Sequence, residues 1–522
     1  MLKSLQSIGI VSLATILSRI LGLVRDILTV MVFGASALGS AFFFAFTIPN
    51  LFRRLLGEGA LTAAMIPTMS EELEERGRDG AFSLLNKVAT WLLVLSVGIL
   101  AVGILLFYQL ERIPGLEERW YVGAELGRIL FPYMLFVCLA ALLAAALNVL
   151  GRFAIPALSP VWLNVAMIFF LLVLGGLFAV TPEGKMIFLC LGVLAGGVVQ
   201  VMVPVIALHR EGWRPAPDFR SSPRLRELSL LMLPGLAGTA IFQINVVVSR
   251  LLAFYLDESA VTILYLANRL MELPLGIFTI AVATVIFPLL SRCAARRDFH
   301  EFAAAYQKGI RLILIIMIPA SAGIVLLREP IVTVLFQWGA FDGSDTRNTL
   351  PVVAVFALAL PFYSLATYVT RGFYSLKDLR TPVRVAGVSF LANFLLSVTL
   401  MQVFGMVGLA LANLLSVIVQ ALALQVAFAR KVPGVAFFSQ WPTVTRILIS
   451  SAGMGVFVVM AKVSLFHLLP PGRAAGVLVL ALIIPSAVAA YAFFLWLLNV
   501  EGRSELEALV KRSLRAKSVK ME

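Results

Sequence analysis

Apolar runs of about twenty residues recur from one end of this chain to the other, each long enough to cross a hydrocarbon core of ~30 Å. They fall at 8–33, 40–66, 83–109, 122–149, 158–180, 185–208, 228–254, 260–290, 304–326, 350–374, 383–402, 405–429, 443–465 and 474–499, about fourteen spans. A lipid-facing barrel strand alternates apolar and polar residues, and these runs do not. The helix is the remaining backbone that satisfies its own hydrogen bonds in lipid, so the expected fold is an all-α polytopic membrane protein. Only 13% of the 522 residues are charged and 61% are hydrophobic, against about 25% charged in soluble domains. The first run is longer than a secretory h-region and lacks a cleavage site, so a retained helix is expected.

Charge placement sets the topology. The net charge is +14. With the N-terminus inside, one side collects Lys3, Arg76, Arg78, Arg152, Arg210, Arg214, Arg220, Arg224, Arg226, Arg296, Arg297, Lys377, Arg380, Arg430 and Lys431, and the tail adds more. The other side holds only Arg112, Arg119, Lys185, Arg328, Arg347 and Arg473. This is the positive-inside bias, and it places both termini in the cytoplasm. The basic loops therefore point to anionic lipid rather than nucleic acid. The acidic patch "EELEERGRD" at 71–79 does not oppose this, because acids contribute little to orientation. Cys138, Cys190 and Cys293, and His209, His300 and His467, are scattered and form neither a disulfide framework nor a metal box.

The chain repeats internally at about 221–226 residues. "AALNVLGRFAIPAL" at 145–158 resembles "GFYSLKDLRTPVRV" at 372–385, "AMIPTMS" at 64–70 resembles "VIFPLLS" at 285–291, and 35–46 sits opposite 258–269. An even number of spans between repeats gives both halves one orientation, a known transporter design. The expected division is an N-terminal lobe of six helices over 1–208, a basic cytoplasmic linker at 209–227, and a second six-helix lobe over 228–430. Two extra helices over 431–500 and a basic tail at 501–522 complete it.

Charge inside the spans is the functional signal. A central Arg or Lys costs about 2.5–3.5 kcal/mol on insertion scales, so Arg19, Arg25 and Arg53 facing lipid would cost roughly 8–10 kcal/mol. They are expected to face a wet cavity or a partner. "SRILGLVRD" at 18–26 carries Arg19, Arg25 and Asp26 around Gly22. "FTIPNLFRRLLGEGAL" adds Arg53, Arg54 and Glu58 after the kink-prone Pro49, and "YLANRLMELPLG" adds Arg269 and Glu272 ahead of Pro274. Arg269 and Glu272 lie three apart, on one helix face. One reading of these groups is structural: Arg25–Asp26 and Arg269–Glu272 lock helices, Arg54 snorkels, and Glu58 pairs with it. The other follows from the excess of cations over acids. A planar guanidinium fork suits phosphate or carboxylate, so the set reads as an anion site within a transporter. No paired acids or positioned base stand at a span end, so an enzyme is not expected. Arg250 either adds to this set or snorkels to the outer face near Asp257 and Glu258, and Arg128 and Lys462 read as structural.

These motifs, with "FGAS" and "NRLMELPLGIF", resemble the MurJ (MviN) family of bacterial lipid II flippases, within the multidrug, oligosaccharidyl-lipid and polysaccharide exporter superfamily. The resemblance implies two pseudo-symmetric six-helix lobes, with helices at about 443–499 forming a groove for a polyprenyl tail. It implies alternating-access transport of undecaprenyl-pyrophosphate-linked disaccharide-pentapeptide from the cytoplasmic to the outer leaflet of the bacterial inner membrane, by a monomer. The family's functional arginines fall on Arg19, Arg25, Arg53 and Arg269, with Asp26 and Glu272 beside them. A same-fold exporter of another polyprenyl-pyrophosphate saccharide, or of a small molecule, is the alternative. The chain departs from the family at Ser40, where an acid often stands, and at Asn268 of "ANR". At Ser249 and Ser397 it departs again from members with a sodium site. Asn393 and Asn413 remain as oxygen ligands, but a hard cation without carboxylates is held weakly. No cofactor is expected, a sodium site is doubtful, and membrane potential or protons are left as drivers.

Overall fold

The computed structural model describes residues 2–55, 61–435, 440–468 and 473–500. Glu58 and the basic tail at 501–522 lie outside the described residues. Helices account for nearly all of the rest, and no strand occurs among the described residues. In chain order they are α1 (Leu2–Phe33), α2 (Ala37–Phe52), α3 (Leu61–Glu111), α4 (Glu118–Leu130), α5 (Tyr133–Val149), α6 (Ala154–Phe169), α7 (Gly175–Phe178) and α8 (Pro182–Arg210). Then come α9 (Pro223–Leu256), α10 (Ala260–Pro274), α11 (Ile280–Arg296), α12 (Phe299–Phe336), α13 (Gly343–Ser375), α14 (Arg380–Lys431), α15 (Trp441–Leu468) and α16 (Arg473–Leu497).

Among the described residues, eleven helical segments are long and apolar enough to cross a membrane. The 52-residue α14 is too long for one crossing and bends at Gly405, which gives it two spans. With the arginine-bearing α1 and the short α2, the set reaches the expected total of about fourteen. Local chemistry sets the helix starts. Ser36, Thr181, Ser222, Asp298 and Asp342 each accept a backbone N–H from the first turn of the following helix, and Pro182 and Pro223 occupy the first helical position of α8 and α9.

The repeat is visible in the backbone. Left-handed residues pair as Gly77 with Arg297, Gly115 with Gly339, Gly151 with Lys377, and Gly212 with Gly434, at separations of 220–226 residues. A π-helical turn at Arg53–Leu55 likewise has a counterpart at Leu275–Thr279. Such turns leave the regular helical ladder and collect at functional sites. Here the first opens at Arg53, and the second follows the helix that carries Arg269.

The described residues pack as two compact units, those up to 262 with 338–341, and 263–337 with those from 342 to 500. In the first, α6 lies against α8, where the missing side chains of Gly192 and Gly196 let the backbones close: an added Cβ would sit 3.1 Å from Met167 Cα and 3.0 Å from Leu163 Cα respectively. The long α9 also belongs to this unit. Near its C-terminal end Phe254 stacks on Phe44 at 4.7 Å and meets the edge of Trp120 at 5.0 Å. Near its start Arg224 gathers four carboxylates: Glu71 at 2.9 Å, Glu75 at 2.7 Å, Glu227 at 3.1 Å and Glu72 at 3.4 Å. The acidic patch of α3 is thus the counter-charge of this arginine. The preceding linker is fixed as well. Arg78 and Arg152 both reach Glu211, the buried Trp213 donates to Asn86 Oδ1 at 2.8 Å, and Lys87 pairs with Asp218 at 3.2 Å. The Arg220 backbone N–H and Lys87 hold the Asp218 carboxyl below its ordinary range against the opposing effect of desolvation.

In the second unit, Tyr306 stacks on Phe428 at 4.5 Å and donates to Gln425 at 2.7 Å, while Tyr368 donates to the Tyr306 carbonyl. Helices α15 and α16 dock on α12. Tyr491 donates to the Ile315 carbonyl at 2.7 Å, and Lys462 pairs with Glu329 at 2.9 Å.

Candidate functional site

The sequence-predicted residues divide between the two units. In the first, α1 turns Arg25 and Asp26 inward. Arg25 is 8% exposed and Asp26 fully buried. The guanidinium donates to one oxygen of Asp26 through Nε at 3.1 Å and Nη2 at 2.6 Å. Its Nη1 donates to Asn164 Oδ1 at 3.1 Å and lies 3.7 Å from Met167 Sδ. The Asn164 amide returns to α1, donating to the Ser18 carbonyl at 3.3 Å. The glycine face of α8 supports α6 from behind, so the helix that meets Arg25 is itself closely backed.

Arg19 and Arg53 are placed differently. Arg19 is half-buried on α1, among exposed Ile16, Leu17 and Ile20, and its side chain makes no hydrogen bond or ion pair among the described residues. Arg53 opens the first π-helical turn and donates through Nε to Asn50 Oδ1 at 3.2 Å. Arg54 is exposed. Arg250 donates to the Phe43 carbonyl at 3.1 Å and to Thr47 Oγ1 on α2. Ser40, at the position where the resemblance expects an acid, is fully buried and meets Thr262 Oγ1 at 3.0 Å.

In the second unit, Arg269 Nη1 pairs with Glu272 at 2.9 Å, as their spacing predicts. Asn268 donates to the other Glu272 oxygen at 3.2 Å. The π-helical turn that follows ties Thr279 to Ser364 at 2.9 Å. Among the oxygen ligands considered for sodium, the Asn413 amide oxygen accepts the Tyr363 hydroxyl, and Asn393 and Ser397 are buried. Among the described residues no three His, Cys, Asp or Glu side chains come together as a metal set.

Two of the four arginines, Arg25 and Arg269, therefore stand beside a carboxylate, and Arg53 stands beside an amide oxygen. What sequence reasoning missed is Asn164. Its signal was a lone amide in the apolar run "VWLNVAMIF", where a polar side chain in lipid needs a partner. Three guanidinium groups, those of Arg25, Arg53 and Arg269, lie next to acceptors that set their direction. Such groups bind bidentate anions.

The family model for the lipid II flippase MurJ matches residues 29–497. A probable lipid II flippase MurJ of Bdellovibrio bacteriovorus is 31% identical over 500 residues, covering 94% of each chain. That of Vibrio cholerae is 34% identical over 427 residues, covering 79% of this chain and 81% of its own. A solved lipid II flippase MurJ in an inward closed conformation aligns with a TM-score of 0.77, 23% identity, 93% of this chain and 98% of the other. An inward-facing multidrug resistance MATE transporter of the MOP superfamily aligns at 0.66 with 15% identity, over 80% of this chain and 95% of that one. At these identities the structural likenesses speak to fold.

Proposed function

This chain belongs to the lipid II flippase MurJ family of multi-pass membrane proteins, and we propose from that premise that it moves lipid II from the cytoplasmic to the outer leaflet of the bacterial inner membrane. The cycle is alternating access, both termini face the cytoplasm, and Arg19, Arg25, Arg53 and Arg269 take the pyrophosphate. Asp26 and Glu272 hold two of these cations when the diphosphate is absent. The observation that carries this reading is the guanidinium of Arg25, 8% exposed on an apolar helix and directed by Asp26 and Asn164. A buried cation is costly to keep in a span and is retained where it serves a pathway. Arginine supplies several donors in a planar fork, which fits the oxygens of a diphosphate better than a lysine point charge.

Ser249 and Ser397 stand where the resemblance implies acids in members with a sodium site, and these neutral hydroxyls support a cycle driven by membrane potential or by protons. Each charge crossing the field is worth ~2.3 kcal/mol per 100 mV. The test is translocation in proteoliposomes. Purified protein should expose fluorescent lipid II to an outside reagent, faster with an imposed potential, and return it chemically unchanged. Turnover to a new product, or no acceleration over empty vesicles, would refute the proposal.

A further inference from the structure

We infer that Asn164 is a positioning residue for diphosphate recognition, fixing the plane of the Arg25 guanidinium without adding negative charge. This rests on the function proposed above and deepens it. The amide is 5% exposed and bridges two points of α1: it accepts from Arg25 Nη1 at 3.1 Å and donates to the Ser18 carbonyl at 3.3 Å. Asp26 takes the opposite edge of the same guanidinium through Nε and Nη2. Two acceptors on different helices define the orientation of a planar group, where one acceptor leaves it free to swing.

The chemistry of the second acceptor is the informative part. Arg25 and Asp26 already compensate one another. A carboxylate at 164 would orient the guanidinium equally well, yet it would turn a balanced pair into a net negative cluster and repel a diphosphate. An amide orients and stays neutral. The helix carrying it is suited to the task, since the α8 glycines let α6 pack closely and Met167, one turn on, places Sδ 3.7 Å from the same Nη1. Ser18 sits one turn ahead of Gly22, so the amide also ties the start of the "SRILGLVRD" segment to its end.

The variants Asn164→Asp and Asn164→Ala separate positioning from packing. Asn164→Asp keeps an acceptor for Arg25 at nearly unchanged volume but gives up the amide donor to the Ser18 carbonyl, so its melting temperature in detergent should fall no further than that of Asn164→Ala. Its affinity for lipid II should nevertheless fall by more than tenfold. Asn164→Ala, which releases the guanidinium without adding charge, should lose about tenfold, the size of one hydrogen bond to a charged group. Wild-type affinity in Asn164→Asp overturns the proposal, because a residue that serves packing alone tolerates the isostere. Parallel loss of melting temperature and affinity in both variants also overturns it and assigns Asn164 to helix packing. A wild-type protein that binds no lipid II brings down the function beneath the proposal, a failure visible before any variant is made.

Discussion

Arg25 directs both Nε and Nη2 at a single oxygen of Asp26, at 3.1 and 2.6 Å, and that carboxylate is fully buried. The pair joins neighbours in sequence, so its value lies in what it does for α1 within the bilayer. It lets a guanidinium and a carboxylate enter an apolar helix together.

The pair can be taken apart by a double-mutant cycle. Arg25→Ala leaves Asp26 buried without its cation and should cost about 3–5 kcal/mol of stability. Adding Asp26→Ala should restore most of that, because two apolar groups replace an ion pair at little net cost. Lipid II transport should remain absent in the doubly substituted protein. Recovery of transport together with stability, read by melting temperature and proteoliposome flipping, would make Arg25 a structural residue only.

Arg224 presents a different balance. One guanidinium serves Glu71, Glu72, Glu75 and Glu227, and the bonds to Glu75 and Glu227 hold its pKa above the ordinary range against the opposing effect of desolvation. Arg224→Gln should lower the melting temperature, since the four carboxylates then repel one another where α3 meets α9. The gap from wild type should narrow as salt rises from 0.05 to 1 M (roughly a change in Debye length from over 10 Å to 3 Å). A gap independent of salt would mean that the cluster acts through packing.

Asp378 gives a pH test. It accepts from the Arg380 and Thr381 backbone N–H groups at the start of α14, from the Thr381 hydroxyl at 2.6 Å, and from Lys431. Burial pushes its carboxyl up, but the bonds from Lys431 and Thr381 outweigh burial and hold it well below the usual range. A carboxyl lowered in the folded state stabilises fully above its unfolded value of about 3.9, and that stability is lost as pH falls toward the folded value. Asp378→Asn should therefore be less stable than wild type at neutral pH, with the difference shrinking in acid below about pH 4. Melting curves in detergent at several pH values check this, and a difference that grows on acidification would contradict it.

The span pattern, the repeat and the Arg269–Glu272 pair were legible because each depends on local spacing. Apolar length fixes a span, and a separation of three places two side chains on one helix face. The repeat could be read from short Pro-centred matches, yet its firmest trace is the left-handed residue pairs. Two of these replace Gly by Arg297 or Lys377, so residue identity alone conceals them. The contact of Asn164 with Arg25 and those of the α3 acids with Arg224 span 139 and about 150 residues, which no local spacing encodes. The linker, legible only as basic, is fastened to α3 through Trp213, Glu211 and Asp218, because tertiary hydrogen bonds decide the order of a polar segment.

The central claim is that these guanidinium groups read the diphosphate, and one comparison of affinities tests it most directly. Lipid II and an analogue with the same polyprenyl chain but no phosphate are each titrated against wild type, Arg53→Gln and Arg269→Gln. The account predicts that each variant loses tenfold or more in affinity for lipid II, the scale of one or more charge-assisted hydrogen bonds, and binds the analogue as wild type does. Equal losses for both lipids, or an unchanged affinity for lipid II, would contradict it.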